Sequence, residues 1–168
     1  LMTDAGMQDY EMEITSVDDD WRKNTTDAVA AQLRDAGFKV KRTIVPGSTF
    51  AANWTTYPFS STDWNHRPLG IQIYALAYRS GEAWNESGFA NPAFDSLLEE
   101  ASAIADADRR RRVMAELQTI MRDEGVVLQP YWRSIFRHVR PGVLGGEMNI
   151  SYLPRIYAFG FAAPAAPD

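Results

Sequence analysis

The chain has 168 residues, 45% of them hydrophobic and 23% charged, the balance of a folded globular protein rather than a disordered one. Its net charge of −5 argues against nucleic acid as a partner, because phosphate binding is driven by basic surfaces. The absence of cysteine excludes disulfides, thiol catalysis and cysteine metal sites but leaves an oxidising compartment open, and no apolar run reaches the roughly 18 residues of a membrane span.

Leu1 to Gly6 reads as the tail of a helix ending at a glycine, with no signal sequence before it. Tyr10 to Val17 alternates apolar and polar residues, the pattern of a half-buried strand. Asp18, Asp19 and Asp20 follow; they lack the spacing of a calcium loop and suit a helix N-terminus instead. The spacing predicts a helix over 21–36 with Gly37 as its terminator, then a strand over 38–45 stopped by Pro46-Gly47. Strand, helix and strand with short joins is a βαβ unit, which places its strands parallel.

A short helix is expected from Ser48, and an extended segment or strand over 57–64. Pro68 opens a helix that reaches Tyr78, with too many apolar residues for one face. Asn91 then caps a helix whose first residue is Pro92, and Phe94, Leu97, Leu98 and Ala101 recur at helical spacing. Asp106 or Asp108 caps a second helix with Val113, Leu117, Ile120 and Met121 as its buried stripe, ended by Gly125. Val126 to Tyr131 reads as a short buried strand, with Tyr131 and Trp132 facing opposite sides. Beyond Arg140 the pattern weakens, and the Ala- and Pro-rich stretch 161–168 is expected to be disordered or displaced.

Catalytic signatures do not assemble. His66 and His138 form no metal-binding pair, no serine sits in a nucleophile elbow, and Gly142 to Gly146 lacks the strand-to-helix context of a phosphate loop. Arg109 to Arg112 opens a helix among acids and reads as a solvated face. Among the tryptophans, Trp21 and Trp54 are expected to pack, whereas Trp64 and Trp84 flank polar loops and suit the wall of a cavity. No enzyme, cofactor or metal is implied.

Four segments in order resemble one family. Leu33-Arg34-Asp35-Ala36-Gly37-Phe38-Lys39-Val40 is similar to its helix-to-strand join, and Asn91-Pro92-Ala93-Phe94-Asp95-Ser96-Leu97-Leu98 to the start of its next helix. Asp106 with Arg110 resembles the opening of the helix after that, and Val127-Leu128-Gln129-Pro130-Tyr131 the strand that follows. The chain thus resembles the C-terminal lobe of an extracytoplasmic solute-binding protein of the dipeptide/oligopeptide type (family 5), which serves an ABC importer. The resemblance implies an α/β fold, a mixed sheet flanked by helices, forming one lobe of a two-lobed periplasmic-binding-protein-like structure. It assigns residues 1–146 to that ligand-binding lobe and 147–168 to a poorly ordered return segment and tail. A larger N-terminal lobe, the hinge strands and an export signal are then expected elsewhere in a longer protein, and an isolated lobe is expected to dimerise.

Peptide binders of this family often carry an aspartate three residues after a tryptophan, where it pairs with the peptide ammonium. Here Trp64 is followed by Arg67, which reverses the charge offered at that point. Two readings stay open: Arg67 receives a carboxylate, phosphate or other acceptor of the ligand, or it forms a salt bridge with Asp63 or Glu82. The expected ligand contacts are Trp64, Arg67, Trp84, Asp63, His66 and Tyr131. The implied function is capture of a peptide or peptide-like, acidic small molecule outside the cytoplasm, in the periplasm, for delivery to an ABC permease. The rival readings are the sensing domain of a regulator and an uncharacterised hydrolase.

Overall fold

Seven residue pairs in parallel register, from Glu11 opposite Lys39 to Val17 opposite Val45, join the first two strands of the computed structural model. The structure describes residues 2–151 and 153–163, arranged as two compact units. One comprises residues 1–64 and 76–92, the other 65–75 and 93–168. Each is described in turn.

The first unit begins with a helix-end geometry. The Met7 amide donates to Met2 O at 2.8 Å and the Gly6 amide to Thr3 O at 3.0 Å, with Gly6 at φ +67°. That matches the expected glycine stop for its described part, while Leu1 lies outside the described residues. β1 (Glu11–Val17), α1 (Asp20–Asp35) and β2 (Lys39–Val45) follow as the expected βαβ unit. Asp19 caps α1, its carboxylate accepting from the Arg22 amide at 2.8 Å, so the aspartate run serves a helix terminus. At the other end the Gly37 amide reaches Arg34 O and the Phe38 amide reaches Leu33 O. Gly37 sits at φ +91°, a conformation that a side chain disfavours.

Ile14, Ala30 and Val40, one from each element, are buried together, with Met12, Val29, Leu33 and Phe59 packed against them. The free edge of β1 is taken by the segment expected to be extended. Thr15 donates its amide to Phe59 O at 3.0 Å and accepts from the Ser61 amide at 2.8 Å, a parallel bridge to Ser60. α2 (Gly47–Asn53) follows β2 directly.

In the second unit the helix expected from Pro68 is shorter and changes type. Leu69 remains extended (φ −126°, ψ 132°), α3 covers Gly70–Ile73, and the chain continues as a π-helical turn over Tyr74–Tyr78, across the unit boundary. A wider π turn redistributes side chains around the axis, which fits a segment with more apolar residues than one α-helical face holds.

α4 (Pro92–Ala103) buries Phe94, Leu98 and Ala101; α5 (Ala107–Asp123) buries Val113, Leu117 and Met121. Asp106 caps α5 by accepting from the Arg109 amide at 2.7 Å, and Arg110 donates to Ile104 O at 2.8 Å. The aspartate–arginine pair at this spacing therefore fastens the loop between two helices. The Gly125 and Val126 amides close α5 on Arg122 O and Met121 O.

After Gly125 the structure departs from expectation. Residues 126–131 form no strand and are not buried: Leu128 is 61% and Tyr131 43% exposed. Pro130 has no amide to give a ladder, and no neighbouring strand pairs with this stretch among the described residues. Without a sheet the alternation of Tyr131 and Trp132 has no meaning, and both are exposed.

A small antiparallel pair, β3 (Val143–Leu144) with β4 (Gly160–Phe161), follows instead, with a 3₁₀ turn at Ile156–Ala158. Gly145 (φ +77°) is where the backbones approach: a Cβ there would lie 2.0 Å from Ala158 O. Of the expected tail, Phe161 belongs to β4, and residues 164–168 lie outside the described residues, as does Tyr152.

Tyr74 packs on Phe94 with ring centroids 5.4 Å apart, and burial pushes its phenol above the ordinary tyrosine value. Ionisation is then easier in the unfolded chain. The stabilisation by the neutral phenol is complete below about pH 10 and is lost as pH rises through the raised folded value. Urea titrations between about pH 8 and pH 11 are expected to show an alkaline loss of stability that is reduced in Tyr74→Phe. An identical slope in the variant would assign the effect to other groups.

Candidate functional site

The parallel pairing of β1 with 59–61 directs the chain past the carboxyl end of β1, the usual location of ligand sites in α/β sheets. The next residues are Thr62, Asp63 and Trp64. Asp63 turns to the first turn of α1, its Oδ1 accepting from Arg22 Nε at 2.7 Å and lying 2.5 Å from Arg22 Nη2. Arg22 is also paired with Asp19 and lies over the Trp21 ring at 4.8 Å. Asp63 is thus held in a local ion pair, and Trp21 packs under a guanidinium as its packing role requires.

Trp64 enters a cluster of three indoles. Its ring centroid lies 6.0 Å from that of Trp54 and 6.0 Å from that of Trp84, and Trp54 and Trp84 are 6.2 Å apart. The Trp54 contacts are edge-to-face at 69° and 78°, the arrangement that sets the positive edge of one ring against the negative face of another. Trp54 is placed by the C-terminal end of α2, where it is the C-cap residue. Trp84 comes from the loop after the π turn, held by Asn85: its Nδ2 donates to Phe89 O at 2.7 Å and its amide to Glu82 O at 3.0 Å.

One carboxylate organises the cluster. Glu86 Oε1 accepts from Trp64 Nε1 at 2.9 Å and from Thr62 Oγ1 at 3.0 Å. Its Oε2 is buried with no hydrogen-bond partner among the described residues. The cluster is not sealed, because Trp84 remains 47% exposed. The expected pair Trp64 and Trp84 is therefore brought together, while Trp54, expected to be core, and Glu86, not singled out, join them. Adjacent sequence held little signal for Glu86: an acid in a polar loop reads as solvated.

The other expected contacts lie in the second unit. Arg67 curls onto its own backbone, Nη1 donating to Asn65 O at 3.1 Å and His66 O at 3.2 Å. Neither carboxylate considered as its partner is vacant, since Asp63 pairs with Arg22 and Glu82 lies 3.6 Å from Arg79. His66 Nε2 donates to Ile150 O at 2.7 Å. Tyr131 lies on the exposed irregular segment, its carbonyl accepting from Gln129 Nε2 at 2.7 Å. Among the described residues no three His, Asp or Glu side chains gather as a metal site, and no helix is long and apolar enough to cross a membrane.

No family model and no curated protein matches the sequence. The fold does match solved structures. A murein tripeptide-binding periplasmic protein, MppA, in its unliganded open form superposes with TM-score 0.66 at 20% identity, over 74% of this chain and 25% of that one. A dipeptide-binding protein from Pseudoalteromonas sp. SM9913, in complex with Met-Leu, gives 0.64 at 19% identity over 74% and 27%. A nickel ABC transporter protein from Bacillus halodurans gives 0.56 at 12% identity over 69% and 25%. The chain spans about a quarter of the length of each. It therefore has the fold of part of a two-lobed periplasmic binding protein, in agreement with the resemblance read from its motifs. More narrowly, it is the fold found in ABC-transporter substrate-binding proteins, many of them peptide binders; the nickel protein shows that fold alone does not name the solute.

Glu86→Ala leaves Trp64 Nε1 and Thr62 Oγ1 without their acceptor and is expected to destabilise by about 1–3 kcal/mol in urea unfolding. Glu86→Gln, which keeps an acceptor oxygen, is expected to lose less. Equal effects would show that the carboxylate oxygen is not what holds the cluster.

Proposed function

We propose that this chain is the ligand-binding lobe of an extracytoplasmic solute-binding protein that captures a peptide or peptide-like molecule for an ABC permease. The observation that carries this reading is the open indole cluster at the carboxyl edge of a parallel βαβ unit, in a fold shared with peptide-binding proteins. Flat apolar walls suit side chains of varied shape, as a peptide carrier requires. Binding alone suffices for such a role, so the proposal includes no catalytic step.

Arg67 belongs to the second unit and is taken by itself. Its guanidinium is held by two neutral carbonyls rather than by a carboxylate, so its charge stays available to an acceptor group. We assign it to a carboxylate of the ligand, the carboxyl terminus of a peptide or an acidic side chain. Asp63, His66 and Tyr131 are secondary contacts in this reading, Asp63 mainly through its hold on Arg22.

A further part of the reading concerns the exposed apolar residues of the second unit, among them Trp132 (87%), Phe136 (76%), Tyr157 (87%) and Phe161 (85%). Apolar exposure on this scale suits cover by the remaining lobe of a longer protein, and it favours self-association of an isolated chain.

Calorimetry with a mixed dipeptide and tripeptide panel tests the proposal. Saturable binding is expected, weakened about tenfold or more in Arg67→Ala for ligands with a free carboxylate and unchanged for their amides. An unchanged affinity in the variant would make Arg67 a structural residue; no binding by any peptide would remove the peptide reading.

A further inference from the structure

We infer that Arg22 is a positioning residue of the candidate site: through Asp63 it ties the segment that carries Trp64 to the first turn of α1. Its guanidinium is aimed by the helix cap. The Arg22 amide donates to Asp19 Oδ1 at 2.8 Å, and Nη1 of the same residue pairs with Asp19 Oδ2. The guanidinium also lies over the Trp21 ring, 4.8 Å from its centroid. With one edge committed to the cap, the other presents Nε and Nη2, which reach Asp63 Oδ1 at 2.7 and 2.5 Å. Each nitrogen of the guanidinium thus has a carboxylate partner, so Arg22 holds protein and not ligand.

Asp63 lies between two residues that are held elsewhere. Thr62 Oγ1 and Trp64 Nε1 both donate to Glu86 Oε1, at 3.0 and 2.9 Å. Asp63 turns instead to α1, the alternation that an extended chain imposes. Upstream, the Ser61 amide is fixed on Thr15 O at 2.8 Å. The Arg22–Asp63 pair therefore fastens the segment on the side that Glu86 does not hold. Its side chains are 27% and 38% exposed, and ion pairs so open to water contribute little to global stability. What the pair supplies is placement. With Asp63 released, Trp64 is held from one side of its chain only, and its ring loses its fixed 6.0 Å spacing to Trp54 and Trp84. Binding then falls with the fraction of molecules that keep the ring in place, alike for every ligand.

This deepens the reading of a peptide carrier, and only its effect on affinity rests on that reading. The first test needs no ligand. Near-ultraviolet circular dichroism of the indole cluster is recorded in a Trp21→Phe background, which silences the ring under Arg22. Arg22→Met and Asp63→Ala are each expected to lower the cluster signal about twofold or more, and the double variant no further. Asp19→Asn is expected to leave it unchanged, since asparagine still caps the helix. The urea midpoint is expected to move little in any of them. Asp63 lies outside the helices, so its variant decides the question if Arg22→Met fails to fold. An unchanged native signal, or additive losses in the double variant, would overturn the inference. So would a lowered midpoint with the native signal intact, the mark of a merely structural role. Peptide affinities give the second readout: Arg22→Met is expected to weaken free acids and their amides alike, about threefold or more. A loss confined to free acids would make Arg22 a ligand contact and overturn the inference. No binding by any peptide would remove the carrier reading, and the cluster signal alone would then decide the role of Arg22.

Discussion

The first unit depends on both edges of β1 being occupied in parallel. On one edge β2 pairs over seven residues; on the other, Thr15 exchanges hydrogen bonds with Phe59 and Ser61. Without the second contact, nothing in the backbone would fix where Thr62, Asp63 and Trp64 begin. Their position follows from strand register, and a one-residue slip would send Trp64 to the opposite face. Phe59, packed against the buried set of Ile14, Ala30 and Val40, guards against that slip, since it would turn the ring away from the core.

The site is therefore built from the ends of several elements rather than from one motif. Trp54 comes from the end of α2, Trp64 from the stretch after the bridge to β1, and Trp84 and Glu86 from a loop organised by Asn85. Two kinds of force converge on it. Edge-to-face packing sets ring orientation, and a carboxylate with two donors on one oxygen fixes Trp64 within the group.

Much of the scaffold was legible in the sequence where a local physical rule was decisive. Gly37 and Gly125 mark helix ends because their positive φ is one that other residues disfavour, and Asp19 and Asp106 cap because their carboxylates reach amides three residues on. The stripes of α4 and α5 followed from apolar spacing alone. What failed depended on partners distant in sequence. Residues 126–131 have strand composition but, among the described residues, no strand to pair with, and β3 with β4 form across fifteen intervening residues that carry no periodic signal. In the site, Trp64 and Trp84 stood out as aromatics in polar loops. Trp54 looked like core and Glu86 like a solvated acid, because only the folded chain brings them to the other indoles.

The central claim is that this fold serves the capture of a peptide. Native mass spectrometry of the protein carrying this chain, purified gently and then made to release its ligand, tests it most directly. The account predicts a stoichiometric peptide or peptide-like molecule bearing a free carboxylate. A non-peptidic solute, or a bound metal complex as the ligand, would contradict it.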